Sequence, residues 1–278
     1  MHRIAFASIL GIFIASPALA QSEIVITQAK ALAGNVTPGD TAGFPVTLTR
    51  PGAYVLASTL TVPAGSYGFQ INASNVDLDM NGFVLSGGGV ANYGIVSHNF
   101  GESRIHGGTI NAFKSYGIYV RRNGWAIENM QIVRNGGSGI DATGARFVRV
   151  QKSLLAANGG HGAIVGDEAE IIQNIVSENK LSGVICGGSC HVEANKIGKN
   201  VRTGITIENG LVIGNTVNEN GKDSQPIGIG YYGIYGSNSQ RLKVGIINNV
   251  VIDNCPLLAR QTLFVEAFGP NSCIGTPC

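Results

Sequence analysis

The chain has 278 residues, 40 of them Gly, with 19 basic and 17 acidic side chains, a net charge of +2 and a hydrophobic fraction of 44%. Few charges beside many apolar residues is the reverse of a disordered composition, so the chain folds, and without a cluster of five or more Lys/Arg it lacks the electrostatic footprint of a nucleic-acid binder. Abundant Gly with only 9 Pro and no G-x-y period excludes collagen and points to many tight turns, with most glycines read as turn punctuation.

Taken in chain order, the first element is a leader. Arg3 precedes an apolar run from Ile4 to Ile14, followed by Pro17 and the small-residue ending Ala18-Leu19-Ala20 before Gln21. That pattern predicts a secretory signal peptide over residues 1–20, too short for a membrane span, and a mature chain that is secreted or periplasmic. No later stretch approaches 18 uninterrupted apolar residues, so no membrane span is expected. Residues 21–53, with Ile24-Val25-Ile26 and the turns Pro38-Gly39 and Pro51-Gly52, are read as an N-terminal cap.

From residue 54 to residue 254 the sequence repeats. The pairs Gly68-Phe69, Gly94-Ile95, Gly117-Ile118, Gly139-Ile140, Gly162-Ala163, Gly183-Val184, Gly204-Ile205 and Gly233-Ile234 recur at intervals of 21 to 29 residues. In phase with them run Asn174, Asn195 and Asn215, and a second set at Asn135, Asn158, Asn179 and Asn200, each four residues before the next glycine. Between these marks there is room only for three short alternating strands per unit, because helical repeats need roughly 33 to 47 residues. Eight such coils cannot bury their apolar faces singly. Stacked at roughly 4.8 Å they share one core in an all-β rod about 35–40 Å long, with Asn174, Asn195 and Asn215 one above another at a corner. Open sheet ends invite aggregation, so residues 255–278 are expected to cap the C-terminal end.

The repeat strands, the Asn ladder and the segment Asn75-Val76-Asp77-Leu78-Asp79-Met80-Asn81-Gly82-Phe83 resemble the right-handed parallel β-helix superfamily of pectate-lyase-like proteins. The resemblance covers residues 54–254 and implies that fold. It leaves function open between lyases, epimerases, hydrolases, adhesins and accessory proteins. It also implies a cleft along the strand after each repeat glycine. Gly160-His161-Gly162 and Arg241-Leu242-Lys243 look like pieces of a polygalacturonase signature, but its paired aspartates are missing, and the D-P-H-D motif of mannuronan epimerases is absent.

Alternation decides which side chains on that strand face solvent. The outward column contains His98, Tyr119, Arg121, Asp141 and Thr143 on three successive coils, and further along Glu208 and Tyr235. Arg121 suits a uronate carboxylate, His98 or Tyr119 a base or acid, and Asp141 the tuning of a neighbour, which together fit proton abstraction by a polysaccharide lyase or C5-epimerase. The longest excursion, 218 to 232, adds Lys222, Asp223, Tyr231 and Tyr232 as substrate-binding candidates, since Tyr stacks on sugars. The bland alternative is a polar exterior on a non-catalytic adhesin or structural module. Low charge and the lack of a catalytic signature favour that alternative, and the clustering of His98, Tyr119, Arg121 and Asp141 favours the enzyme.

Two features remain. Export permits disulfides, and inward parity makes a Cys186–Cys190 bridge plausible, with Cys255 joined to Cys273 or Cys278. A C-x3-C metal site lacks a second ligand pair. No cofactor motif occurs; a calcium ion could sit only at Asp167, Glu168 and Glu170, against the reading of three solvated acids. The expected partner is an extracellular, acidic polysaccharide. Which sugar it is and the oligomeric state are not written in the residues.

Overall fold

The computed structural model describes residues 23–221, 233–236, 244–252 and 254, with the backbone of strands 262–263, 266–267 and 272–274. The leader 1–20, the loop residues Lys222, Asp223, Tyr231 and Tyr232, the segment 241–243, and Cys255 and Cys278 lie outside the described residues; Cys273 is described only as backbone. No helix among the described residues is long and apolar enough to cross a membrane.

The chain winds through three parallel sheets in turn, each neighbour supplied by the coil before and the coil after. The first sheet has ten strands and contains Tyr93–Ser97, Ile118–Val120, Ile140–Ala142 and Ala163–Val165. The second has eleven, including Ser103–His106, Trp125–Glu128 and Arg149–Gln151, and the third has ten, including Gln131–Val133 and Ile175–Ser177. The three faces enclose one apolar core. In the first sheet, register puts Ile118 on Ile140, Ile140 on Ala163, Ala163 on Val184 and Val184 on Ile205, all fully buried. The sheets extend beyond the eight glycine-led turns at either end, by one rung everywhere except the N-terminal end of the second sheet, which adds two. Val46–Leu48 and Gly52–Leu56 already pair as solenoid strands, and so do 262–263, 266–267 and 272–274.

The repeat glycines are not turn punctuation. A Cβ on Gly68, Gly94, Gly117, Gly139, Gly162, Gly183 or Gly204 would lie 2.4 to 2.7 Å from the carbonyl oxygen of the glycine one coil on, so the column exists because stacked backbones approach too closely for a side chain. Many corners that require positive φ are instead built from Arg134, Ala157, Gln173, Glu178, Ala194 and Lys199, each immediately before a ladder Asn. Solvent-facing side chains are tolerated there because the inward residue that follows makes the compensating bonds.

Those bonds are the two Asn ladders. At each step the Asn Oδ1 accepts from both the backbone N–H and the Nδ2 of the Asn one coil back, and its own Nδ2 donates to a strand carbonyl. One ladder runs through Asn135, Asn158, Asn179, Asn200, Asn220 and Asn254. The other runs through Asn174, Asn195, Asn215 and Asn249, continued upstream by the Ser153 N–H donating to Asn174. Buried polar groups are thereby satisfied without water.

At the N-terminal end, Ile24–Ile26 adds to the second sheet, and the short helix α1 (Gln28–Ala33) follows, capped by Thr27, whose hydroxyl accepts from the Lys30 N–H at 3.1 Å. The open edge of Val46–Leu48 is closed by side chains. Buried Asp40 accepts from the Thr47 N–H at 2.7 Å, and the Thr37 hydroxyl donates to the Thr47 carbonyl at 2.6 Å, imitating the missing strand. Cys186 and Cys190 form a disulfide across the corner between the first and second sheets.

Replacing Asn179 by Ala removes the acceptor of the Asn158 backbone N–H and of one N–H of the Asn158 amide, and the side-chain donor to the Leu155 carbonyl. It is expected to lower the unfolding free energy by about 2–4 kcal/mol. A denaturant midpoint unchanged from the parent protein would show that the ladder is not a stabilising element.

Candidate functional site

The strand after each repeat glycine turns alternate residues outward, as its apolar partners require. Register places Tyr119 directly between Val96 and Asp141. At the next outward position stand His98, Arg121 and Thr143. The structure brings this group together. The His98 imidazole lies edge-on to Tyr119 with centroids 5.4 Å apart, and the Arg121 guanidinium covers the Tyr119 ring at 4.2 Å. Arg121 Nη1 donates to Asp141 Oδ1 at 3.1 Å and to the Thr143 carbonyl at 2.8 Å, while the Thr143 N–H donates to the same Asp141 oxygen at 3.1 Å.

Asp141 is the hub and is 5% exposed. The neighbour it holds is Arg121, not His98, and Thr143 contributes its backbone rather than its hydroxyl. About a third of the Arg121 side chain remains open to solvent. Glu208 and Tyr235 sit elsewhere. Tyr235 is paired through Thr206 and Ile185 to Ile164, which neighbours Asp141, so it is four rungs from Asp141, or roughly 19 Å; Glu208 lies past the strand that carries Thr206.

Four functional candidates escaped the alternation argument because they precede the repeat glycine instead of following it: Tyr67, Tyr93, Tyr116 and His161. Tyr93 contacts Tyr67 at 5.2 Å, Tyr116 at 5.7 Å and Tyr119 at 5.7 Å, and Tyr116 stacks on Tyr119 at 5.5 Å. The signal was present in the repeated Tyr-Gly pairs at 67–68, 93–94 and 116–117. Burial raises the pKa of the Tyr116 hydroxyl, as do the Asp141 charge and the neighbouring Tyr93 and Tyr119, with Arg121 opposing; it therefore keeps its proton.

His161 belongs to the same column. Its Nδ1 accepts the Ser182 N–H at 3.1 Å, which leaves the proton of the neutral ring on Nε2. Burial, joined by the Arg202 charge and offset in part by Asp141, pushes the imidazole down to about 4. At neutral pH His161 is an uncharged hydrogen-bond donor through Nε2.

The electrostatic setting of this face differs from that of the second sheet. Segments 112–124 and 134–146, which carry the first-sheet strands of these two coils and their flanking turns, hold Lys114, Arg121, Arg122, Arg134 and Arg146; Arg121 pairs with Asp141 and Arg146 with Glu168 of the next coil. On the second sheet, charges close on one another, Arg104 with Glu128 at 2.8 Å and Arg149 with Glu170 at 2.6 Å, and His106 Nε2 lies 3.0 Å from Asp77 Oδ1. Two shallow hollows of about 480 and 300 Å³ open there around Ala126. Their charged linings are largely paired, whereas the Arg121–Asp141 pair and its aromatic neighbours lie on the first sheet. The acidic clump does not converge: Asp167 accepts from the Gly188 N–H, Glu168 pairs with Arg146 and Glu170 with Arg149. Among the described residues no group of three His, Cys, Asp or Glu is arranged to hold a metal.

With the three-sheet coil and its flank described, the protein is a right-handed parallel β-helix. No protein-family model matches the chain, and no curated protein does. Its fold is similar to the A-module of the Azotobacter vinelandii mannuronan C-5 epimerase AlgE4, at 12% identity over 91% of this chain and 85% of that one, with a TM-score of 0.56. It is also similar to the periplasmic alginate epimerase AlgG, at 14% identity over 91% and 73%, with a TM-score of 0.53. The third is the pectate lyase Pel9A, at 14% identity over 84% and 63%, with a TM-score of 0.50. At these identities the likeness is one of fold.

The lowered pKa of His161 has a consequence for stability. An unfolded histidine titrates near 6.5, so as pH falls the unfolded chain takes up this proton first. The contribution of neutral His161 is complete above about 6.5 and is lost as pH falls to about 4. An NMR titration should place its midpoint near 4, and His161→Gln should flatten the fall in stability across that window. A midpoint near 6.5 would contradict the burial argument.

Proposed function

We propose that the protein acts outside the cytoplasm on an acidic polysaccharide laid along the first sheet, with proton transfer at C5 of a uronate as its chemistry. The observation that carries this reading is the joining of the Arg121–Asp141 pair to Tyr119, Tyr116 and His98 within adjacent coils. The fold neighbours are named as two alginate epimerases and a pectate lyase, which supports the substrate class. The Cys186–Cys190 disulfide suits an oxidising compartment, and the leader pattern of residues 1–20 agrees with it.

In this reading the open edge of the Arg121 guanidinium receives the sugar carboxylate and stabilises the charge that develops when the C5–H bond breaks. The exposed His98 imidazole takes the proton. The electron pair then either recaptures a proton on the opposite face, which inverts C5, or forms a C4–C5 double bond as the glycosidic oxygen leaves with a proton. Tyr116 and Tyr119 are the hydroxyl donors available for either outcome. One observation favours a binding-only protein as the second reading: the Asp141 carboxylate is already committed to Arg121 and the Thr143 N–H.

Incubation with polymannuronate, polyguluronate and polygalacturonate separates the readings. Absorbance of an unsaturated product reports lyase action, and uptake of deuterium at C5 reports epimerase action. One of the two signals is expected, reduced by roughly 10²-fold or more in Arg121→Ala. Silence in both, with the polymer still retarding the protein in affinity electrophoresis, would leave the binding-only reading. No retardation would remove both.

A further inference from the structure

Among the described residues, those before the repeat glycines form a column of their own: Tyr67, Tyr93, Tyr116, Ser138, His161, Ser182 and Thr203; Tyr232, before Gly233, lies outside them. Its first three members are aromatic and in mutual contact, with Tyr93 at the centre. The Tyr93 and Tyr116 rings are parallel to within 28° and those of Tyr116 and Tyr119 to within 24°, while Tyr67 meets Tyr93 edge-on at 74°. All four rings are partly exposed.

We infer that Tyr67, Tyr93 and Tyr116 form a sugar-binding platform that leads into the Arg121–Asp141 cluster, so that a glycan chain lies along the rod axis with about one pyranose per coil. This rests on the proposed function and assigns its subsites. Three considerations carry it. First, the fold does not need aromatic rings in this column. Ser138, Ser182 and Thr203 occupy the same place in later coils, where the strands pair in the same register. The tyrosines are therefore an addition to the repeat and not part of it. Second, the step between coils is roughly 4.8 Å, about the length of a pyranose ring, so successive sugars meet successive tyrosines. A tyrosine offers an apolar face to the C–H side of the sugar and a hydroxyl to its oxygens, and the Tyr116 hydroxyl is held protonated as a donor. Third, the row stops where the reactive groups begin. Tyr116 stacks on Tyr119, whose ring lies under Arg121, so a sugar on the platform has its neighbour over the ion pair. Beyond that point the column is polar, through Ser138 and His161. The site is thus asymmetric, with stacking subsites toward the N-terminal coils and hydrogen-bonding subsites toward the C-terminal coils.

The test is affinity against chain length, measured calorimetrically with uronate oligosaccharides of two to six residues and with neutral glycans of the same lengths. The parent protein should gain affinity with each sugar added up to about five. Tyr93→Ser, which copies the residue of a later coil, should lose about tenfold or more for the longer oligosaccharides and little for the disaccharide, while Tyr93→Phe keeps most of the gain. Should Tyr93→Ser melt well below the parent, Tyr67→Ser at the edge of the row replaces it. A length dependence identical in parent and Ser variants overturns the platform, even if Arg121-dependent activity persists. A length dependence that is intact but equal for neutral and acidic glycans leaves the platform standing and overturns the uronate reading instead.

Discussion

Everything in this molecule depends on the hydrogen-bonded contact between one coil and the next. Each strand finds its partners only above and below, so any inward position must tolerate a copy of itself about 4.8 Å away. Two solutions dominate. Where backbones converge, only Gly fits, because a Cβ would touch the next carbonyl at 2.4 to 2.7 Å. Where a corner leaves polar backbone inside, Asn fits, because its amide both donates and accepts and so bonds to an identical neighbour in either direction. The unusual Gly content and the spaced Asn residues are the compositional trace of that single requirement.

Outward positions escape it. A side chain that faces solvent need not match the one above, so chemistry gathers where the repetition lapses. On the first sheet the lapse is the run of aromatic rings ending at Arg121 and Asp141, followed by a neutral histidine where other coils place Ser or Thr. On the second sheet Arg104 pairs with Glu128 and Arg149 with Glu170, an arrangement that contributes little to stability at the surface. The second sheet thus sets ion pair beside ion pair, whereas the first sets the Arg121–Asp141 pair beside stacked rings.

The degree to which this could be seen in advance varied by position. The triplet of strands, the register of Ile118 under Ile140 and the Asn174–Asn195–Asn215 ladder were legible because each follows from a local spacing repeated many times, and the Cys186–Cys190 bridge because both residues share inward parity; that Asn135, Asn158, Asn179 and Asn200 form a second ladder was not. The grouping of His98, Tyr119, Arg121, Asp141 and Thr143 was legible from alternation alone. What alternation did not convey was how those side chains divide their bonds. Asp141 serves Arg121 and not His98, and Thr143 acts through its backbone, because the direction of a side chain between coils depends on the whole neighbourhood. Tyr67, Tyr93 and Tyr116 were visible as letters but not as a row, since residues 23 and 26 positions apart become neighbours only when coils are stacked. The acids at 167, 168 and 170 illustrate the converse. Adjacent in sequence, they point to three different partners.

By itself the sequence determined the architecture: a period of 21 to 29 residues with Gly and Asn in phase permits only short coils that must stack to bury their apolar sides. The tertiary structure decided which outward residues meet and which proton the His161 ring retains. The reason is physical. Periodicity is a property of neighbours along the chain, whereas hydrogen bonds, desolvation and ring contacts are set by atoms that arrive from the adjoining coil.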